Sequence, residues 1–563
     1  MKFSEFKYER IDINAVRNKI QKLIMNFNKM DSFEEQCTII NDINTIRDEF
    51  KTMQVLAELR KNLGINKEFY CEEIDYYDEA EPILENLVSD FYIALTNSKY
   101  KDKLRNKYGD KIFDLANQKV KCVSEEILEE LQEEKRLITE YVKLGESIKT
   151  IYEGEEFGRW DFDPLMCYED RNIRQNAYKA QTELFAKYED EMQKLFDRFV
   201  KVRHKMALKM GYKNFIEMGY SRMNRIGYDK EMIANFRKQI LEYVVPLNVE
   251  LIRRQGKRLG INSIKYYDES IFFKDGNPII KGNSGFIVDK TLKMYEKLSK
   301  ETDEFFKYMN AKELLDIEDR KNKEAGGFCE YMPKHKSPFI YAKYNGTMEN
   351  FNEVIHEVGH AFQSYLCRGY DLPEYVIATE DISEIHSMSM EFLIEPWLEE
   401  FFDDGADKYK FLHMCSALFL LAYIAAVDEF QHNIYENSEA TFEERNSMWS
   451  KIEKKYIPYR NYEDNEYLNK GAYWLRQSHI FWGPFYYIDY GLAQVVAFEF
   501  WSKSNINRQE TWNDYVNLCK AGGSLTFTEV LKAGNMKNPF EQGSIEKIIK
   551  DIEGWILDIE EKL

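Results

Sequence analysis

Two histidines and a glutamate near the middle of the chain have the spacing of a metal-hydrolase motif. His356 and His360 are four residues apart, and Glu357 directly follows the first of them. On an α-helix, residues i and i+4 share one face, so both imidazoles can reach one ion. Glu357 then lies about 100° around the helix axis, where it can act as a general base. This HExxH pattern predicts a catalytic zinc site with one Zn²⁺ per chain.

The residues around this motif have helical periodicity. Apolar side chains recur at helical spacing from Phe351 to Leu366, and Thr347 is suited to cap the first turn. A helix would hold the two histidines at a fixed separation. The same pattern also fits two histidines that are simply packed within a helix, so a third ligand has to be sought elsewhere.

A catalytic zinc ion needs three protein ligands and one open position. The metzincin continuation of the motif is absent, and a carboxylate on a second helix is the other common solution. The segment 378–393 is predicted to be such a helix, with Glu384 and Glu391 on one stripe. Glu384 is the better candidate ligand, and Glu391 is expected to support the site beside it. His386 competes with Glu384 on residue chemistry alone, and either acid could also belong to a solvated helix face.

A third stretch, His479 to Tyr490, is dense in aromatic side chains. Tyr487 and Tyr490 are three residues apart and would share a helical face. Their phenolic O–H groups could donate to a developing oxyanion. Taken alone, such an aromatic stripe is also typical of core packing.

The stretch 326–342 has apolar and aromatic residues between glycine and proline, which predicts short strands just before the metal helix. An exposed edge strand can pair with the main chain of a peptide whatever its side chains are. The alternative is a structural hairpin that packs on the helix.

The segments HEVGHAFQSYL and SEIHSMSME together resemble the thimet oligopeptidase and oligoendopeptidase F family of zinc peptidases. The chain length and motif set are similar to the shorter, bacterial, Pz-peptidase-like branch. Further matches are the motifs at 326–329, 338–340, 345–347, 479–490 and 521–524.

The resemblance implies roles for individual residues. Glu384 would be the third metal ligand, and His479 and Tyr490 would surround the substrate carbonyl as catalytic groups. Which of Tyr486 and Tyr487 contributes to substrate binding stays open. The peptide-binding edge would consist of three residues, Gly326, Gly327 and Phe328.

Length and composition constrain the fold. A chain of 563 residues with only 11 prolines and 27 glycines predicts a mainly α protein of more than one domain. Breaks in the helical pattern place a boundary near residue 160, which divides 1–160 from a catalytic region, 161–563. The resemblance implies a two-lobed helical metallopeptidase with a deep central channel. Residues 1–160 would form one wall, and a small β element would lie beside the HExxH helix.

Charge and cysteine usage limit the partners. The formal net charge of −20 argues against nucleic acid as a partner. Eight cysteines without a CxxC spacing indicate reduced thiols, and no apolar leader begins the chain, so we expect a cytoplasmic protein. The apolar run Phe411–Val427 is predicted to be a buried helix, not a membrane span, with His413 as a core histidine. The sequence leaves the oligomeric state open.

We therefore predict an intracellular zinc endopeptidase that hydrolyses internal bonds of short, unstructured peptides. A zinc metallocarboxypeptidase is the alternative, and it would need a cationic anchor for the C-terminal carboxylate of its substrate. A non-catalytic peptide-binding protein is a second alternative. The intact Glu357 argues against it, because binding alone needs no general base.

Overall fold

The computed structural model describes residues 1–324 and 326–563, and about 71% of the chain is helical. The predicted mainly α fold is confirmed. Its first six helices are α1 (Ile13–Lys29), α2 (Phe33–Asn62), α3 (Lys67–Thr96), α4 (Lys101–Tyr108), α5 (Lys111–Val120) and α6 (Leu128–Ser147). The next eight are α7 (Asp163–Met166), α8 (Arg171–Lys187), α9 (Glu189–Lys209), α10 (Phe215–Arg222), α11 (Lys230–Gln239), α12 (Val245–Leu259), α13 (Ser284–Leu298) and α14 (Lys300–Ala311).

The remaining helices follow the β element near the motif. They are α15 (Met348–Cys367), α16 (Pro373–Val376), α17 (Glu380–Leu393), α18 (Glu399–Phe402), α19 (Ala406–Glu436), α20 (Phe442–Tyr456), α21 (Glu466–Asn469), α22 (His479–Trp482), α23 (Tyr487–Ser504), α24 (Arg508–Ala521), α25 (Phe527–Ala533) and α26 (Ser544–Glu560).

Within residues 1–324 and 326–563, two small sheets accompany the helices. A hairpin pairs β1 (Lys149–Tyr152) with β2 (Glu155–Gly158). The second sheet contains β3 (Leu315–Asp316), β4 (Gly327–Met332) and β5 (Ser337–Ala342) in the order β3-β5-β4. β4 runs antiparallel to β5 and has no strand on its other side within the described residues. The predicted strands before the metal helix are therefore confirmed, and β4 is an edge strand.

The motif helix α15 begins as its sequence predicts. The hydroxyl of Thr347 accepts a hydrogen bond of 3.2 Å from the N–H of Asn350. Its apolar stripe packs on β4, β5 and α17. α17 lies between α15 and α23, and nearly all of its residues are buried. The predicted third-ligand helix is thus enclosed on both sides.

Gly359 permits a close approach between α15 and α17. A Cβ atom at this position would lie 2.6 Å from the carbonyl oxygen of His386 and 2.6 Å from Cα of Ser387. Both are backbone atoms, which cannot turn aside as a flexible side chain can. The glycine in HEVGH therefore sets the distance between the two helices.

One long apolar helix crosses the core. Among the described residues, the segment Glu399–Glu436, which contains α19, is the one span long and apolar enough to cross a membrane. In its most apolar window, 78% of the residues are buried inside the structure, as in a core helix.

We predict that Gly359→Ala destabilises the protein although alanine favours helices. Overpacking against fixed atoms costs about 1–3 kcal/mol, which exceeds the helix propensity gain of about 1 kcal/mol. Urea unfolding of the metal-free protein measures this loss. The control is Gly554→Ala in α26, where a Cβ atom would meet nothing within 4 Å and alanine should stabilise. Equal gains in both variants would contradict the close contact.

Candidate active site

A cavity of about 1290 Å³ opens over α15 and α17. Residues of α2, α3 and α5 line one side of it. Residues of β4, α15, α17 and the aromatic stretch 479–490 line the other. The cavity therefore lies between the N-terminal helices and the motif helix, as the deep channel of the predicted fold requires.

Three ligand atoms from α15 and α17 converge on this cavity. Nε2 of His356 lies 3.1 Å, and Nε2 of His360 lies 3.5 Å, from Oε2 of Glu384. All three atoms lie within 4.8 Å of one another, and no second group of this kind occurs among the described residues. Ligand atoms bound to tetrahedral zinc at about 2.0–2.1 Å are about 3.3 Å apart. The donor set and its spacing therefore fit a zinc ion.

The pKa values of these side chains are shifted because a buried carboxylate lies beside two imidazoles. Burial alone would lower the pKa of His356, but the carboxylates of Glu384 and Glu391, one at each ring nitrogen, hold that pKa well above its usual range. Burial alone would raise the pKa of Glu384, but His360 and His356 hold it well below its usual range. The site therefore has the ionised carboxylate and the negative charge that a divalent cation requires.

His386, the competing candidate, is not among the described residues that line the cavity. Its side chain is 0% exposed, and burial lowers the pKa of its imidazole to about 3. The carbonyl of His386 accepts a hydrogen bond of 2.8 Å from the hydroxyl of Tyr515. The geometry therefore favours Glu384 over His386.

Glu357 lies beside the ligand cluster and lines the cavity. Its side chain is 7% exposed, and burial raises the pKa of its carboxyl to about 7. A carboxyl with a pKa near the ambient pH can both accept and return a proton, which a general base needs in a two-step hydrolysis.

His479 also lines the cavity, and its neighbours select one tautomer. The hydroxyl of Tyr423 donates to Oε1 of Gln477 at 3.1 Å, which directs the amide nitrogen of Gln477 to Nδ1 of His479 at 2.7 Å. Because that amide donates, Nδ1 accepts and the ring proton lies on Nε2. Burial lowers the pKa of His479 to about 4, so the ring is neutral near pH 7. His479 is therefore an uncharged N–H donor.

The three tyrosines that follow His479 have different positions relative to the cavity. Tyr486 and Tyr490 line the cavity, whereas Tyr487 is not among the described residues that do so. The hydroxyl of Tyr486 donates to Oε1 of Glu384, and that of Tyr490 donates to the Tyr486 hydroxyl at 3.0 Å. The ring of Tyr487 packs on the ring of His479 with centroids 4.8 Å apart. Tyr486 therefore contacts the ligand cluster, and Tyr487 supports His479.

A residue in the left-handed conformation precedes these tyrosines. Phe485 has a φ of 66°, which is rare for a large side chain and costs about 1–3 kcal/mol. Its carbonyl accepts a hydrogen bond from Arg225, and its N–H donates to Oε1 of Gln431 at 2.7 Å. The guanidinium of Arg225 also pairs with Asp489 at 2.9 Å. These buried bonds hold the turn that places Tyr486 beside Glu384.

The free edge of β4 differs in detail from the predicted peptide-binding residues. Gly327 and Phe328 line the cavity, but Gly326 precedes the strand and its carbonyl accepts a hydrogen bond from the N–H of Lys343 at 3.1 Å. The direction of the backbone N–H and C=O groups alternates along an antiparallel pair. Like those of Gly326, the backbone groups of Phe328 therefore point towards β5. The backbones of Gly327, Cys329 and Tyr331 then face the open edge.

Two models of known protein families match the chain. Residues 3–123 match the Peptidase M3 N-terminal domain, and residues 165–275 and 291–548 match Peptidase family M3. The chain belongs to peptidase family M3. Members of this family are metallopeptidases, which agrees with a metal centre at His356, His360 and Glu384.

Named relatives of this M3 peptidase chain include oligopeptidases. It is 23% identical to group B oligopeptidase PepB of Streptococcus agalactiae over 396 residues, which is 67% of this chain and 62% of that relative. It is 24% identical to an oligoendopeptidase F homologue of Lactococcus lactis over 389 residues, which is 66% of this chain and 62% of that relative. The match therefore spans less than two thirds of these relatives' own length.

Solved structures match over nearly the whole chain. Pz peptidase A, solved with an inhibitor, is 44% identical, with a TM-score of 0.97 and coverage of 99% of both chains. A Bacillus anthracis protein provisionally assigned as oligoendopeptidase F is 41% identical, with a TM-score of 0.93 and coverage of 100% of this chain and 99% of that chain. The two-lobed M3 fold implied by the sequence motifs is therefore confirmed.

Two polar residues at the site of this M3 chain were not anticipated from its sequence. Gln477 selects the tautomer of His479, and Gln431 holds the backbone of Phe485. Gln477 is only two residues from His479, so its position was a usable signal. Gln431 lies within the apolar α19, and no local pattern distinguishes it from other buried amides.

We predict that Tyr486→Phe and Tyr487→Phe have different effects on peptide hydrolysis. Loss of the Tyr486 hydroxyl removes a hydrogen bond to a charged group, which is worth about 1.5–3 kcal/mol and should lower kcat/KM about 10- to 100-fold. Tyr487→Phe keeps the ring that packs on His479, so kcat/KM should change less than about twofold. Steady-state hydrolysis of a fluorogenic peptide measures both. Equal losses would contradict this division of roles.

Proposed function

We propose that this M3 family member is a zinc-dependent endopeptidase that hydrolyses internal bonds of short, unstructured peptides. The observation that carries the proposal is the convergence of His356, His360 and Glu384 beside Glu357 in one large cavity. Two imidazoles and one carboxylate leave a position open, as catalytic zinc sites do and closed structural sites do not.

The metal would be held by His356, His360 and Glu384. A zinc ion in such a site supplies a Lewis acid, which polarises a carbonyl and lowers the pKa of water. Glu391 accepts a hydrogen bond of 2.8 Å from Nδ1 of His356, which orients the ring so that Nε2 is the metal-binding nitrogen.

Glu357 is the proposed general base. It removes a proton from the attacking water as the new C–O bond forms at the scissile carbonyl. The same carboxyl then delivers this proton to the amide nitrogen as the C–N bond breaks, so that the products are a carboxylic acid and an amine. Burial raises the pKa of Glu357, which makes its carboxylate a stronger base than an exposed one.

His479 and Tyr490 are the proposed oxyanion donors. The neutral Nε2–H of His479 is available because Nδ1 is engaged by Gln477. The hydroxyl of Tyr490 lies 3.0 Å from that of Tyr486, in the same wall of the cavity. A donor that acts on the developing oxyanion commonly contributes about 2.7–4 kcal/mol to transition-state stabilisation.

The free edge of β4 is the proposed binding site for the peptide main chain. Gly327, Cys329 and Tyr331 offer backbone groups towards the cavity, and such pairing does not depend on side chains. The N-terminal region 1–160 is proposed as the domain that closes the opposite side. Its α2 and α3 contribute lining residues.

Relatives named as oligopeptidases and oligoendopeptidases support an endopeptidase. The alternative, a zinc metallocarboxypeptidase, is not favoured by them. The eight cysteines are free thiols, which supports a reducing compartment such as the cytoplasm.

We expect Glu357→Gln to abolish turnover while zinc remains bound. Glutamine keeps the size of the side chain but cannot accept the proton from water, so kcat should fall by about 100-fold or more. Glu384→Ala removes a ligand, so bound zinc itself should be lost. Metal analysis of dialysed protein, together with peptide hydrolysis, distinguishes the two variants.

Chelator treatment provides the control for these variants. Activity of the wild-type protein should disappear with the zinc and return when zinc is added. Full activity of zinc-loaded Glu357→Gln, or full zinc occupancy of Glu384→Ala, would refute the assigned roles.

We also expect the enzyme to cleave an unstructured peptide and to spare the same sequence inside a folded domain. A folded chain must open locally before it can enter the cavity and pair with β4, and this opening costs part of its own stability. Mass spectrometry of the products measures both rates and locates the cleaved bonds. Equal rates would exclude an enclosed channel, and release of single C-terminal residues would indicate a carboxypeptidase.

A further inference from the structure

His413 of α19 is linked to the candidate metal site through Glu391. Its Nε2 lies 2.9 Å from Oε2 of Glu391, and Oε1 of the same carboxylate lies 2.8 Å from Nδ1 of His356. The carboxylate of Glu391 therefore joins two imidazoles from two helices, α15 and α19. The sequence predicts only a core histidine at position 413, and its side chain is indeed buried.

We infer that His413 is a positioning residue for the metal ligand His356 and that it acts through Glu391. The inference rests on the proposed zinc site and extends it to a side chain that cannot itself reach the ion, since Glu391 stands between them.

The hydrogen bonds define what His413 does. A carboxylate bonded by one oxygen can still rotate about its last bond, whereas a carboxylate bonded by both oxygens has one orientation. Nε2–H of His413 and Nδ1–H of His356 both donate to Glu391. Outer partners of this kind orient a metal-binding imidazole and commonly change metal affinity about 10- to 100-fold.

The surroundings of His413 exclude a second polar role for its ring. Nδ1 is buried and has no hydrogen-bond partner among residues 1–324 and 326–563. The ring stacks on Phe392, with centroids 4.4 Å apart, and on Tyr409 at 5.7 Å. A phenylalanine ring could make the same two stacks. The bond to Glu391 is therefore the one feature that requires histidine here.

The same stack connects three helices of the site. Phe392 follows Glu391 in α17, Tyr409 precedes His413 in α19, and the hydroxyl of Tyr409 donates to Asn352 in α15. The position of the His413 ring is thereby set relative to the helix that bears His356. His413 can therefore fix the orientation of the Glu391 carboxylate, because its own position does not depend on Glu391 alone.

Three substitutions at position 413 test the inference. His413→Phe keeps the stacked ring and removes the donor. His413→Gln places an amide N–H where Nε2 was, and His413→Asn carries the same amide on a shorter side chain that cannot reach Glu391. The readouts are the zinc dissociation constant, from competition with a chromogenic chelator, and thermal unfolding of the metal-free proteins.

We expect His413→Phe and His413→Asn to bind zinc about 10- to 100-fold more weakly, and His413→Gln to stay within about threefold of the wild type. In a Glu391→Ala background, His413→Phe should cause no further loss, because the group through which it acts is gone. If His413→Phe does not fold, the contrast between glutamine and asparagine still decides.

Two results would overturn the inference. One is wild-type zinc affinity in both His413→Phe and His413→Asn, and the other is a loss in His413→Gln as large as that in His413→Asn. Failure of the proposed function is a separate outcome, because then the wild-type protein itself would not bind zinc.

Discussion

The contact between α15 and α17 is the constraint on which the site depends. Two ligands belong to one helix and the third to the other, so the distance between the helix axes decides whether one ion can be shared. Gly359 allows that distance, since any side chain there would meet the backbone of His386 and Ser387. Burial of α17 between α15 and α23 then keeps the two helices together.

Burial of charge gives the site its chemistry. Isolated carboxylates are costly to bury, and Glu384 and Glu391 are stabilised because each contacts a ring nitrogen of His356. The pKa of His356 rises while that of Glu384 falls, because each side chain stabilises the opposite charge on the other. A divalent cation would replace the protons that the imidazoles otherwise hold. For Glu357 burial outweighs the attraction of His356 and His360, so its pKa rises instead.

The aromatic stretch 479–490 beside the motif helix is held by backbone and amide hydrogen bonds together with the ion pair of Arg225 and Asp489. The left-handed Phe485 is retained because Arg225 and Gln431 satisfy its carbonyl and its N–H. Gln477 keeps His479 in one neutral tautomer. Donors whose orientation is set before a substrate arrives lose no energy in reorganising, which is what an oxyanion site requires. These bonds place Tyr486 and His479 at the cavity.

The sequence by itself was sufficient for the local features. Helical periodicity located α15 and α17, and the i, i+4 rule put His356 and His360 on one face, because both depend only on residues within a few turns. The resemblance to a known family implied the two-lobed fold and Glu384 as the third metal ligand. Only the tertiary structure separated Tyr486 from Tyr487, directed the backbones of Cys329 and Tyr331 to the open edge, and brought His413 to Glu391. Each of these depends on which neighbour a side chain or strand edge meets across the core, and local spacing carries no information about that neighbour.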